Sequence, residues 1–266
     1  MNLELEDRVV IISGGARGIG RAIARSVAAE QGIPVIVDPQ EREGADLVEQ
    51  IEADGGQAAS IARKLDSDDD CQQVVQWVER EFGRIDGVVN NAGRNDGAGL
   101  LHGSTEAFET SLRRNLIHCF SLVHHALPAL KASRGAIVNI SSKTALTGQG
   151  GTSGYSAAKG ALLALTREWA LDLLPWEIRV NAIVPAEVMT PAYQTWLNEL
   201  NEPDATLKRI QERVPLGTRL TRPAEIADTA VFLLSARAAH ITGQHIHVDG
   251  GYVHLDRALG QIERES

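Results

Sequence analysis

A chain of 266 residues with 43% hydrophobic content is long enough for one large α/β domain with a substantial core. Its formal net charge of −9 opposes nonspecific attraction to nucleic acid phosphates or an anionic membrane surface, and leaves a small molecule as the expected partner. The opening Met1-Asn2-Leu3-Glu4-Leu5-Glu6-Asp7 is acidic, without the basic flank and apolar run of a secretion signal, and no stretch is long and apolar enough to span a bilayer, so the expected location is cytoplasmic.

Short apolar runs at Arg8 to Ser13, Pro34 to Asp38, Ala58 to Lys64, Asp86 to Asn90, Gly135 to Ser141, Ile178 to Val184 and His245 to Val248 predict seven strands. Stretches of helical length and period lie between most of them, including Gly20 to Gln31, Asp69 to Phe82, Thr105 to Leu130 and Gly154 to Arg167. Strands alternating with helices imply right-handed crossovers and a parallel sheet, so the expected fold is α/β, a doubly wound seven-stranded Rossmann-type sheet in one domain over residues 1–266. Cys71 and Cys119 lack metal-ligand spacing, and His118, His124 and His125 lie on a helical pattern without a Cys or carboxylate at ligand distance. No metal site is expected.

In such sheets ligands bind beyond the carboxyl ends of the strands. Ser13-Gly14-Gly15-Ala16-Arg17-Gly18-Ile19-Gly20 follows the first strand, and its glycines allow a tight turn and close approach of a pyrophosphate to the N–H groups that open a helix. The spacing Gly-x-x-x-Gly-x-Gly differs from the commoner Gly-x-Gly-x-x-Gly of other dinucleotide folds. Asp38 ends the second strand, where a carboxylate can bond an adenosine ribose and repel a 2′-phosphate, which favours NAD over NADP; the alternative is a helix cap, since Pro39 and a helical stretch follow. Arg17 is placed either to reach a 2′-phosphate or to point to solvent, so NADP use stays open. Asp66 is a candidate adenine contact or a cap for the helix after Ser67.

Tyr155 and Lys159 are spaced i, i+4 on a helical pattern and so share a face, with Ser142 at the end of the fifth strand facing the helix start. A free phenol titrates near ~10, and a base working near neutrality needs that lowered by roughly 3 units, about 4 kcal/mol. A unit charge ~4 Å away contributes about that much at an effective dielectric of ~20.

With those residues in place, the chain resembles the short-chain dehydrogenase/reductase family over nearly its whole length, from the glycine turn to Val248-Asp249-Gly250-Gly251. The resemblance implies Asn115, Ser142, Tyr155 and Lys159 as the catalytic set: Tyr155 takes the substrate proton, Ser142 orients the oxygen, Lys159 binds the nicotinamide ribose and lowers the tyrosine pKa, and Asn115 anchors a relay water. For Asn115 a purely local hydrogen bond is the alternative. The implied cofactor contacts are Gly14, Arg17, Gly18, Ile19, Gly20, Asp38, Asp66, Asn91, Ala92, Gly93, Tyr155, Lys159, Pro185, Val188 and Thr190, with Thr190 holding the nicotinamide carboxamide. Ala186 departs from the glycine that many members place after the proline, and Ser13 stands where Thr is usual.

Arg114-Asn115-Leu116-Ile117-His118, Ser141-Ser142-Lys143-Thr144-Ala145, Pro185-Ala186-Glu187-Val188-Met189-Thr190-Pro191 and Gly251-Tyr252-Val253-His254-Leu255-Asp256-Arg257 are similar to stretches of the bacterial L-fucose dehydrogenases. That subgroup implies oxidation of the anomeric carbon of L-fucose, L-galactose or D-arabinose to the lactone. A polar sugar needs many hydrogen bonds, and Asn95, Ser142, Lys143, Gln149, Tyr155 and Glu187 are the candidate substrate contacts. Glu187 would accept bonds from two sugar hydroxyls, or else form a structural salt bridge. Residues 192–218, with Tyr193 and Trp196, are expected to form a helical lid or a rigid surface subdomain. The tail beyond Gly251 is expected at a subunit interface of a homotetramer, as is common in the family. The rivals are another activity of the same fold, such as 3-oxoacyl thioester reductase or polyol dehydrogenase, and a non-enzymatic dinucleotide sensor, which would have no need of Tyr155 and Lys159.

Overall fold

The computed structural model describes residues 2–255; Asp256 and Arg257 of the tail motif lie outside the described residues. Seven strands form one parallel sheet in the order β3-β2-β1-β4-β5-β6-β7, with β1 Val9–Ser13, β2 Ile33–Asp38, β3 Ala59–Ala62, β4 Gly87–Asn90, β5 Ala136–Ile140, β6 Arg179–Pro185 and β7 His245–Val248. Strand order reverses between β1 and β4, where the two pair in register from Val10↔Gly87 to Ile12↔Val89. At such a reversal the crossovers diverge to opposite faces and leave a crevice at the carboxyl edge.

The strands read as near-continuous apolar runs because both faces are covered. Val10, Ile12, Ile36, Val89, Val138 and Ile183 pack beneath α1 Gly18–Ala29, α2 Glu41–Ala53 and α9 Pro223–Leu234, which contribute Ile23, Leu47 and Ile226. The alternate residues Val9, Ile11, Val35, Val88, Ile137 and Val180 pack beneath α3 Asp68–Phe82, α5 His118–Ser133 and α6 Ser153–Asp172, which contribute Val74, Leu122 and Trp169. Leu122 is wholly buried, and truncating such a side chain to Ala costs roughly 2–5 kcal/mol.

Local signals set the ends of several helices. Ser67 and Asp70 form a reciprocal capping box at the start of α3, and Gly83 closes that helix in the left-handed region at φ 70°. Thr190 accepts from the Tyr193 N–H to cap α7 Pro191–Asn198, whose first residue is a proline. Two helices, α7 and α8 Pro203–Gln211, occupy the segment between β6 and α9.

The stretch from Thr105 to Leu130, expected as one helix, is broken. The helix α4 Thr105–Leu112 gives way to a π-helical turn at Arg113–Ile117 before α5 begins. A π turn differs from the helix around it in its i→i+5 hydrogen bonding, and Arg113–Ile117 contains no residue type that marks such a change. Among the described residues no helix is long and apolar enough to cross a membrane, and no group of three or more His, Cys, Asp or Glu is arranged to hold a metal.

At the amino edge of the sheet, Asp86 is buried and accepts from Arg8 Nη1 at 2.8 Å, Arg84 Nε at 2.8 Å and the Val9 N–H at 3.0 Å. Burial alone would raise its pKa, but the two arginines and the backbone donor outweigh it and hold the carboxyl below its ordinary value. A depressed folded-state pKa stabilises the fold above the unfolded-state pKa, and that stability is lost as pH falls through the folded-state value. Asp86→Asn is therefore expected to lower the melting temperature at pH 7, and the gap from wild type is expected to shrink below about pH 4; a gap independent of pH would contradict the charge assignment.

Candidate active site

A cleft of about 750 Å³ runs along the carboxyl edge. At one end, the turn after β1 brings the backbone close to the next strand's exit. Gly14 has φ 63° and Gly18 has φ 54°, and a Cβ on Gly20 would stand 2.2 Å from the Gly14 carbonyl oxygen, so only glycine lets α1 start here. Asn91 fixes the turn from the β4 side, donating from Nδ2 to the carbonyls of Ser13 at 3.0 Å and Gly14 at 2.9 Å. Ser13 Oγ returns the contact by accepting from the Asn91 and Ala92 N–H groups, both at 3.1 Å.

The first turn of α1 carries no acidic residue and no side-chain cap, so its N–H groups and the positive end of the helix dipole are free for an anion. Asp38 borders the same space, 7% exposed, accepting from Ala16 N at 3.2 Å and Gln40 N at 3.1 Å. A glycine turn, an uncapped helix start and a carboxylate at the end of β2 fit a dinucleotide's pyrophosphate and ribose. Arg17 lines the cleft but is ion-paired with Glu43, and Asp66 lines it while paired with Lys64 at 2.5 Å. Ile19, Ala92, Gly93, Pro185, Val188 and Thr190 also line the wall; Gly20 lies behind it, under the turn.

The middle of the cleft brings Ser142, Tyr155 and Lys159 together. Lys159 is 2% exposed, donates to the Ile140 carbonyl at 2.7 Å, and sits 5.7 Å from the Tyr155 ring centroid. Ser141 Oγ holds the helix against the strand end by donating to the Lys159 carbonyl at 2.8 Å. Ser142 Oγ accepts from Thr144 N at 3.2 Å and Oγ1 at 3.1 Å, which orients it. Burial pushes the Tyr155 phenol above its ordinary value, with the Ser142 hydrogen bond pulling the other way. Burial also pulls the Lys159 ammonium below the usual lysine value. Across the 5.7 Å that separates the ammonium from the ring centroid a unit charge contributes about 3 kcal/mol at an effective dielectric of ~20, a pull toward the phenolate that the burial of the phenol opposes.

Asn115, in the π-helical turn, is wholly buried. Its Nδ2 makes a local bond, donating to the Ser111 carbonyl one turn back at 2.9 Å, while its Oδ1 reaches outside the helix to accept from Arg94 N at 2.8 Å. Gly93, at φ 152°, permits this packing: a Cβ there would fall 2.7 Å from Asn115 Oδ1 and 3.5 Å from Lys159 Nζ.

Beyond Ser142 lies a polar cluster. Lys143 forms a close ion pair with Glu187, whose second oxygen accepts from Tyr193 Oη at 2.9 Å, and the Lys143 ammonium stands 4.3 Å from the Tyr252 ring centroid. Lys143 and Glu187 stand behind the wall, whereas Tyr193 lines it. Asn95 and Gln149 are exposed on glycine-containing loops and do not line the cleft. The sequence reading missed Arg94, Arg114 and His118 as wall residues; their sole signal was proximity to Gly93 and Asn115 in the chain. Burial pulls His118 down to about 4, leaving it neutral.

Comparison with known proteins places this geometry. A family model described as enoyl-(acyl carrier protein) reductase matches residues 14–253. The rat L-fucose dehydrogenase is 37% identical over 237 residues, covering 89% of this chain and 86% of the relative. The 3-oxoacyl-(acyl-carrier-protein) reductase FabG of Thermotoga maritima is 33% identical over 246 residues, covering 92% of this chain and 97% of the relative. The crystal structure of Cj0485 dehydrogenase superposes with a TM-score of 0.93 at 42% identity, covering 98% of this chain and 100% of that one. Seven parallel strands, the glycine turn and relatives of near-equal length agree, and the chain belongs to the short-chain dehydrogenase/reductase family, oxidoreductases that use NAD or NADP.

Proposed function

We propose that the protein oxidises the anomeric carbon of L-fucose, or of L-galactose or D-arabinose, to the lactone with NAD. The observation that carries the reading is the single cleft in which Ser142, Tyr155 and Lys159 meet beside a polar Lys143–Glu187–Tyr193 cluster, and the similarity to proteins named L-fucose dehydrogenase supports it.

In this reading Gly14, Gly18, Ile19 and the start of α1 hold the pyrophosphate, Asp38 the adenosine ribose, Asp66 the adenine, Asn91, Ala92 and Gly93 the central wall, and Pro185, Val188 and Thr190 the nicotinamide end. Bound there, the oxidised nicotinamide accepts a hydride. Ser142 positions the C1 hydroxyl, Tyr155 takes its proton as the C1–H bond breaks, and the C1=O of the lactone forms. Lys159 stabilises the phenolate and Asn115 anchors the proton's exit. Residues 192–218, through α7 and α8, form the substrate lid, and the assembly is a homotetramer; exposed Phe120, Leu171 and Leu174 on and just after α5 and α6 leave apolar surface for it.

Reduction of 3-oxoacyl thioesters is the competing reading, supported by the FabG relative. Absorbance of reduced cofactor separates the two: L-fucose with NAD is expected to turn over, and turnover restricted to thioesters would contradict the proposal. Tyr155→Phe is expected to reduce kcat by 10²-fold or more, within the range of a lost general base, while NAD binding measured by fluorescence stays intact. Asp38→Ser is expected to narrow the NAD preference about tenfold by removing a like charge near a 2′-phosphate; an unchanged ratio of kcat/KM for the two cofactors would remove Asp38 from that role.

A further inference from the structure

Two tyrosines face the cleft, and their neighbours have opposite charge. Tyr155 lies beside the Lys159 ammonium. Tyr193, on α7, directs its hydroxyl to Glu187 at 2.9 Å, and the other oxygen of Glu187 is held by Lys143, the residue after Ser142. The Tyr193 ring is braced edge-on by Trp196 at a centroid distance of 5.2 Å. Its phenol is pushed up, first by burial and then by the Glu187 charge, so it stays protonated and cannot compete with Tyr155 as a base.

A phenol that has committed its proton to a carboxylate offers the cleft only its oxygen lone pairs. Such an acceptor is matched by a hydroxyl donor on the bound molecule. A sugar brings hydroxyls next to the one that reacts; the acyl part of a 3-hydroxyacyl thioester brings no second one. Resting on the sugar-oxidation reading, we infer that Tyr193 is a specificity-determining residue that accepts a hydrogen bond from a non-reacting hydroxyl of a polyhydroxylated substrate, with Glu187 as the positioning residue that fixes its orientation. Glu187 thus serves the sugar through Tyr193 rather than by binding two hydroxyls itself, and Lys143 ties the arrangement to the catalytic serine's loop.

The test compares wild type and Tyr193→Phe on L-fucose and on its 2-, 3- and 4-deoxy analogues, with NAD dissociation and melting temperature as controls. The expected result is about a tenfold loss of kcat/KM on L-fucose, the usual effect of one hydrogen bond, with controls unchanged and one deoxy analogue on which the two enzymes are equal. An equal loss on every analogue would show a merely structural role, and no loss at all would also overturn the inference. No wild-type turnover of L-fucose, L-galactose or D-arabinose would overturn the sugar reading and this inference with it, whereas wild-type turnover with an unaffected Tyr193→Phe would overturn the inference alone. Glu187→Gln is expected to lose less than Tyr193→Phe, and the double variant to be no worse than Tyr193→Phe; additive losses would show that Glu187 acts independently of Tyr193.

Discussion

The carboxyl edge of this sheet depends on the four residues that leave β4, Asn90 to Gly93. Asn91 binds the two carbonyls of the glycine turn, so the turn at this end of the cleft is held from the neighbouring strand rather than by its own residues. Two residues later, Gly93 vacates the space into which Asn115 Oδ1 and Lys159 Nζ both reach. Any side chain at that position would collide with Asn115 and crowd Lys159. Asn90 extends the same network inward, donating to Asn139 at 2.8 Å, and Asn139 donates to Thr166 on α6 at 2.9 Å. The helix that carries Tyr155 and Lys159 is thereby tied to the centre of the sheet.

This rigidity has an electrostatic consequence. Lys159 is buried with one backbone carbonyl as its hydrogen-bond partner, and Tyr155 is pressed into the same low-dielectric region. Desolvation moves both groups toward their neutral forms. A positive charge brought beside the phenol would oppose that shift for Tyr155.

The strands and the chemistry at their ends were readable from the chain because a parallel sheet covered on both faces leaves unbroken apolar runs, and the residues at the ends of those runs face the crevice. All seven strands fall within a residue or two of the runs that predicted them. The π-helical turn at Asn115 was not readable, since Arg113–Ile117 carries no Gly, Pro or other residue type that marks a change of hydrogen-bond pairing. The substrate end was the least readable part. Asn95 and Gln149 are polar and lie on the loops that follow β4 and β5, yet both are exposed among flanking glycines. From the chain alone Tyr193 reads only as a lid aromatic, because its pairing with Glu187 and, through it, Lys143 joins segments that no spacing rule connects.

The most direct measurement of the chemistry follows an isotope. L-Fucose carrying deuterium at C1 is incubated with the enzyme and NAD, and the products are resolved by mass spectrometry. Oxidation at the anomeric carbon places the deuterium on the reduced nicotinamide and leaves an unlabelled lactone. Deuterium retained at C1 of a consumed sugar would contradict it.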